Sequence, residues 1–98
     1  MKKADKLTQD AIGYLLLQGH YVMRINNAPT QRRKGTVKKG VADILGCTKK
    51  GIALAVEIKT TDKQSEAQID FEKQYKKRGG IYILCKSIDD LINNRSIK

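Results

Sequence analysis

Glu57 and Lys59 stand two residues apart in the run LAVEIK, residues 54 to 59. Side chains on a β-strand alternate between faces. Ile52, Leu54, Val56 and Ile58 therefore form one aliphatic face, and Ala53, Ala55, Glu57 and Lys59 the other. The second face begins small and then turns charged, so a helix or a substrate can approach it closely. Upstream, Ala42 to Cys47 (ADILGC) reads as a second strand, joined to the first by the compact connection Thr48-Lys49-Lys50-Gly51. If the two strands form an antiparallel hairpin, Asp43 falls opposite positions 55 to 57 and meets Glu57 on one face. Two carboxylates at that separation repel unless a cation lies between them. Mg²⁺ takes oxygen ligands, usually one or two carboxylates together with waters and phosphate oxygens. There it can acidify a water and neutralise charge on a scissile phosphate. Lys59, one strand repeat on, can position or help deprotonate that water and steady the phosphate's negative charge. The Ile58 carbonyl between them is a further oxygen ligand. The pair alone is weak evidence, because an i,i+2 salt bridge on a solvated face explains Glu57 and Lys59 without any chemistry.

The elements that must position these groups follow from periodicity. Residues 4 to 18 read as an amphipathic helix with Leu7, Ala11, Tyr14, Leu15 and Gln18 at helical spacing, stopped by Gly19. Residues 21 to 25 form a short strand that ends in the turn signals Asn26-Asn27-Ala28-Pro29. Strands over 42–47 and 52–59 come next. Ser65-x-x-Gln68 is a capping box that opens a helix running to about Arg78, with Ala67, Phe71 and Tyr75 on its apolar stripe. Gly79-Gly80 breaks that helix, and residues 81 to 85 (IYILC) make a strand apolar enough to be covered on both faces. Ser87 caps a last helix over 88–93, after which NNRSIK frays. The order is α-β-β-β-α-β-α. The strand–helix–strand passage from 52 to 85 predicts a right-handed parallel crossover. The expected fold is a small mixed β-sheet flanked by helices, class α/β, in one domain spanning residues 1 to 98.

Twenty Lys and Arg against ten Asp and Glu give a net charge of +10 on 98 residues. Such an excess points to a polyanionic partner, with nucleic acid the leading candidate. Half of it is concentrated between Asn26 and Gly40, where Arg32, Arg33, Lys34, Lys38 and Lys39 occur with no acid among them. A solvated basic loop would look the same, but its nearness in sequence to Asp43 favours a phosphate-contacting role. The apolar runs fall far short of a membrane span. MKKADKLTQD lacks the apolar stretch of a secretory signal, so the expected location is the cytosol. Cys47 and Cys85 each sit in an aliphatic run and suit buried, reduced thiols. A single histidine, His20, leaves little for a zinc site or a histidine-based triad.

GVADILG, AVEIKTTDKQSEAQ and KKRGGIYILCKSIDDL, in this order and spacing, resemble the VRR-NUC domain, a branch of the PD-(D/E)xK nuclease superfamily. The resemblance runs from the first helix to the last. Its motifs map onto Gly40 to Asp43, onto Glu57 to Lys59, and onto Gln68. The likeness implies a restriction-endonuclease-like core and Mg²⁺- or Mn²⁺-dependent hydrolysis of DNA phosphodiesters. Asp43, Glu57 and the Ile58 carbonyl would hold the metal, and Lys59 would act on the water. The family also carries an acid on helix 1. Here Asp5 takes its place with Thr8 replacing a hydrophobic residue, and Asp10 is the alternative. Gln68 has two candidate roles, the helix cap and the site. Stand-alone chains of this length resemble phage and bacterial members, which implies a homodimer that resolves four-way (Holliday) junctions during DNA repair in a bacterial or phage-infected cell. Tyr75, Tyr82 or the C-terminal helix could supply the dimer interface. Two other readings stand beside this one: a non-catalytic basic nucleic-acid-binding module, and a restriction- or nicking-type nuclease of the same superfamily.

Overall fold

The computed structural model describes residues 2–25, 40–60 and 63–98. Its elements are α1 (Lys3–Leu17), β1 (Tyr21–Arg24), β2 (Ile44–Cys47), β3 (Ala53–Ile58), α2 (Glu66–Lys77), β4 (Ile81–Cys85), α3 (Asp89–Ile92) and a closing 3₁₀ turn, Arg95–Ile97. The four strands form one mixed sheet in the order β1-β2-β3-β4. β1–β2 and β2–β3 are antiparallel, and β3–β4 is parallel across the α2 crossover. Among the described residues no helix is long and apolar enough to cross a membrane.

The two faces of β3 serve different layers, as its alternation predicts. Leu54, Val56 and Ile58 join Val22, Ile44, Ile83 and Cys85 in the main core, which α1 closes with Ala11 and Leu15. Thr8 is buried on the same stripe of α1 and satisfies its hydroxyl by donating to the Ala4 carbonyl, 2.7 Å away. On the opposite face Ala42, Ala55 and Tyr82 form a smaller cluster under Phe71 and Tyr75 of α2.

Gly40 sets how closely α2 can lie. Its φ of +92° is unfavourable for any residue with a Cβ, and a Cβ there would sit 2.5 Å from the Ala67 carbonyl oxygen in the first turn of α2. The small residue at this point lets the helix settle onto the backbone that leads into Asp43.

Several boundaries differ from the sequence-based expectation. β2 begins at Ile44, not Ala42, because the Asp43 carboxylate captures the Ile58 N–H and so ends the backbone ladder. Ser87 does not cap the last helix. Asp90 Oδ2 instead accepts from the N–H groups of Lys86 (2.7 Å) and Ser87 (3.2 Å). The C-terminal residues do not fray either: Asn94 caps the 3₁₀ turn through Ser96 N–H at 2.9 Å, and Ile97 is buried against the main core. Cys47 and Cys85 are free thiols. Burial foremost, with Asp90 nearby, pushes the Cys85 thiol up to about 11. His20 is buried and its Nδ1 accepts from the Lys49 N–H at 3.0 Å, a structural role.

The packing at Gly40 gives a first prediction. Gly51 has a similar φ of +84° but open space around it. Gly51→Ala should therefore cost only the left-handed backbone penalty, about 1 kcal/mol, whereas Gly40→Ala must also displace α2 and should cost at least about 2 kcal/mol. Urea unfolding of the two variants measures the difference. Equal losses would mean that the approach of α2 does not depend on Gly40.

Candidate active site

The β2–β3 register pairs Ile44 with Val56, so Asp43 stands opposite Glu57 at the end where the ladder stops. Both carboxylates project to the α2 face. Asp43 is anchored twice: its carbonyl accepts from Ile25 N–H at 2.8 Å and its Oδ2 from Ile58 N–H at 2.9 Å. The N–H and C=O of one strand residue point to the same edge. The Ile58 carbonyl thus faces the edge on which the Asp43 carboxylate lies.

Glu57 is 3% exposed, and its oxygens have unequal surroundings. Oε2 accepts from Gln68 Nε2 at 2.9 Å and lies 3.8 Å from Lys59 Nζ. Oε1 is buried without a hydrogen-bond partner among the described residues. The two candidate roles of Gln68 are compatible. Its Oε1 accepts from the Ser65 N–H at 2.8 Å and its own N–H donates to Ser65 Oγ at 3.2 Å, completing the capping box, while its Nε2 reaches Glu57. A reversed amide would set oxygen against carboxylate and N–H against N–H, so the two contacts fix each other. The cap that starts α2 therefore also aims a donor at the buried carboxylate.

Burial, and then the negative charge of Asp43, push Glu57 up from its ordinary 4.5 to about 7; Lys59 opposes this incompletely. The reason is elementary: desolvation disfavours the charged form, and a second carboxylate adds to the cost. Such a group exchanges a proton near neutral pH.

Asp43, Glu57, Lys59 and Gln68 thus converge. The helix-1 acids do not join them. Asp5 pairs with Arg24 at 2.9 Å and Asp10 with Lys6 at 3.2 Å, four residues along the helix. Among the described residues no three His, Cys, Asp or Glu side chains gather as a metal cluster, so Asp43 and Glu57 stand as a pair. Arg32, Arg33, Lys34, Lys38 and Lys39 lie outside the described residues. Tyr82 is buried, at 7% exposure, which removes it from the candidate interface residues. Sequence reasoning missed what its hydroxyl does. Gln64 Nε2 contacts Tyr82 Oη and Glu72 Oε1, both at 3.1 Å, and so ties the chain ahead of α2 to β4. The signal was a lone phenol on an apolar strand, which needs a polar partner when buried.

The elevated Glu57 pKa predicts a pH dependence of stability for the metal-free protein. Between 4.5 and about 7 the folded chain keeps a proton that the unfolded chain has released. Stability therefore falls as pH rises through that window and is level above it, with a total loss of up to roughly 3 kcal/mol. The neutral isostere Glu57→Gln should flatten the curve and be the more stable protein at about pH 8. Thermal melts in EDTA across the window test this; parallel curves for the two proteins would refute it.

No protein-family model matches the sequence, and no curated protein matches it. A solved structure described as a VRR_NUC domain is similar over 97% of this chain and 99% of that one, with a TM-score of 0.70 and 21% sequence identity. At that identity the likeness speaks for the fold. This chain has the fold of a VRR_NUC domain.

Proposed function

We propose that this chain is a Mg²⁺- or Mn²⁺-dependent endonuclease that hydrolyses DNA phosphodiesters, and that its substrate is branched DNA, a four-way junction cut by a homodimer in the cytosol of a bacterial or phage-infected cell. The observation that carries the reading is the state of Glu57. Its Oε1 is buried and unpartnered, beside a second carboxylate. Leaving such an oxygen bare costs on the order of 1–3 kcal/mol, a cost that a hard cation would remove. The donor set fits that cation: Asp43, Glu57 and the Ile58 carbonyl are the residues that would hold it. When bound, the ion supplies Lewis-acid polarisation of the phosphate and acidity to a water.

The chain's own groups have separate tasks. Gln68 holds Glu57 in one rotamer through the 2.9 Å bond to Oε2. Ile58 N–H does the same for Asp43. Lys59 has a side chain only 14% exposed, and its ammonium is kept 3.8 Å from Glu57 Oε2. There it orients the attacking water and faces the negative charge that grows on the phosphate as the water adds. Stabilisation of that charge is what lowers the barrier. The basic segment with Arg32, Arg33, Lys34, Lys38 and Lys39 would contact neighbouring phosphates. A four-way junction has two-fold symmetry, so paired cuts call for two sites related by a two-fold axis, which a homodimer provides. The likeness in fold to a VRR_NUC domain supports the nuclease reading.

A cleavage assay with Mg²⁺ or Mn²⁺, comparing a four-way junction with linear duplex, tests the proposal. Glu57→Gln and Lys59→Ala should each lower the single-turnover rate by roughly 10²-fold or more. Variants that cut as well as wild type would place the chemistry elsewhere. Salt-sensitive DNA binding with no divalent-dependent cleavage would favour the non-catalytic module. Equal cutting of duplex and junction would favour a restriction- or nicking-type enzyme.

A further inference from the structure

A groove of about 300 Å³ opens on the α1 side of the sheet, lined in part by Lys3, Lys6 and Asp10 of α1, Thr60, Lys86 and Ser87. Its position is set by the parallel pair β3–β4. The Lys59 N–H donates to the Cys85 carbonyl at 3.0 Å, so the two strands leave the sheet side by side. Thr60 is the next residue after Lys59, and Lys86 the next after Cys85. The groove and the Asp43–Glu57–Lys59 cluster therefore adjoin at one end of the sheet, on opposite faces. In open α/β sheets the carboxyl ends of parallel strands are where ligands bind.

The charge of the groove is unbalanced. Lys6 is paired with Asp10 at 3.2 Å, whereas neither Lys3 nor Lys86 has a carboxylate within salt-bridge reach among the described residues. Leu7 and Ile88 also line the groove, with the exposed ammonium groups of Lys3 and Lys86 beside them; two unpaired cations next to the strand end that carries Lys59 suit a phosphate backbone.

We propose that this groove holds the phosphates of the DNA strand that flanks the scissile bond, so that the strand passes over the carboxyl end of β3 and β4 from one face of the sheet to the other. The assignment rests on the endonuclease reading above, and gives it a path for the substrate. Lys3 and Lys86 bind and orient backbone phosphates; they take no part in the bond-breaking step. Removing them should weaken DNA binding and raise KM while leaving the rate at saturating DNA intact.

The test compares two double variants, Lys3→Gln/Lys86→Gln in the groove and Lys49→Gln/Lys50→Gln in the turn at the opposite end of the sheet. All four side chains are exposed, and each double variant removes the same charge. Fluorescence anisotropy with a labelled four-way junction in EDTA gives the dependence of log Kd on log salt concentration. The groove pair should lower that slope by roughly 2, about one for each phosphate no longer neutralised, and the turn pair should leave it near wild type. Equal slopes for the two variants, with metal-dependent cleavage retained, would overturn the groove and leave the active-site reading standing. Failure of the wild-type chain to bind the junction at all would overturn both.

Discussion

A carboxylate held away from water beside a second carboxylate is the constraint on which this structure turns. Glu57 costs stability in its charged form, and Lys59 two residues on compensates for that only in part. What keeps it in place is the far side of the same strand. Leu54, Val56 and Ile58 are locked into the main core, and a one-residue slip of β3 would carry all of them to the wrong face. The aliphatic half of the strand therefore enforces the position of the charged half. Stability gained on one face offsets what the other face costs, a distribution typical of sites that need a perturbed acid.

The second layer of control comes from α2. Gly40 admits the helix, Ala55 and Ala42 leave room beneath it, and the Ser65–Gln68 capping box fixes its start. Because one amide serves both the cap and Glu57, the register of α2 and the rotamer of the carboxylate are set together. Gln64 reinforces this by bridging Glu72 and Tyr82 just ahead of the helix. Loosening the helix start would therefore disturb the site through the Gln68–Glu57 bond.

The sequence made some of this legible, and physical distance explains the rest. The alternation in IALAVEIK and the short turn at 48–51 bring Asp43 opposite positions 55 to 57 of an antiparallel hairpin, and the observed register puts it at Glu57. The parallel crossover and the two-faced character of β3 followed from the same pattern. The double use of Gln68 was not readable, since a capping box is a local signal and the reach to Glu57 depends on how α2 docks. The partners of Asp5 and Asp10 were also hidden. Asp5 meets Arg24 across a 19-residue separation, and Asp10 is taken by Lys6 one helical turn away. Ile97 looked like part of a frayed end because a three-residue turn carries no periodicity, and its burial depends on the distant surface of α1 and the sheet. The basic segment 32–39 was legible as charge, which suggests a polyanionic partner and gives no place in the fold.

The central claim is that Asp43 and Glu57 together hold a divalent cation, and calorimetric titration of the metal-free protein with Mn²⁺ tests it most directly. Binding to a single site per chain is expected, lost in Glu57→Gln and in Asp43→Asn. Near pH 6, where the buried Glu57 still carries its proton, binding to wild type should release roughly one proton, seen as a buffer-dependent heat. Undiminished Mn²⁺ binding in both variants, or none by the wild-type chain, would contradict it.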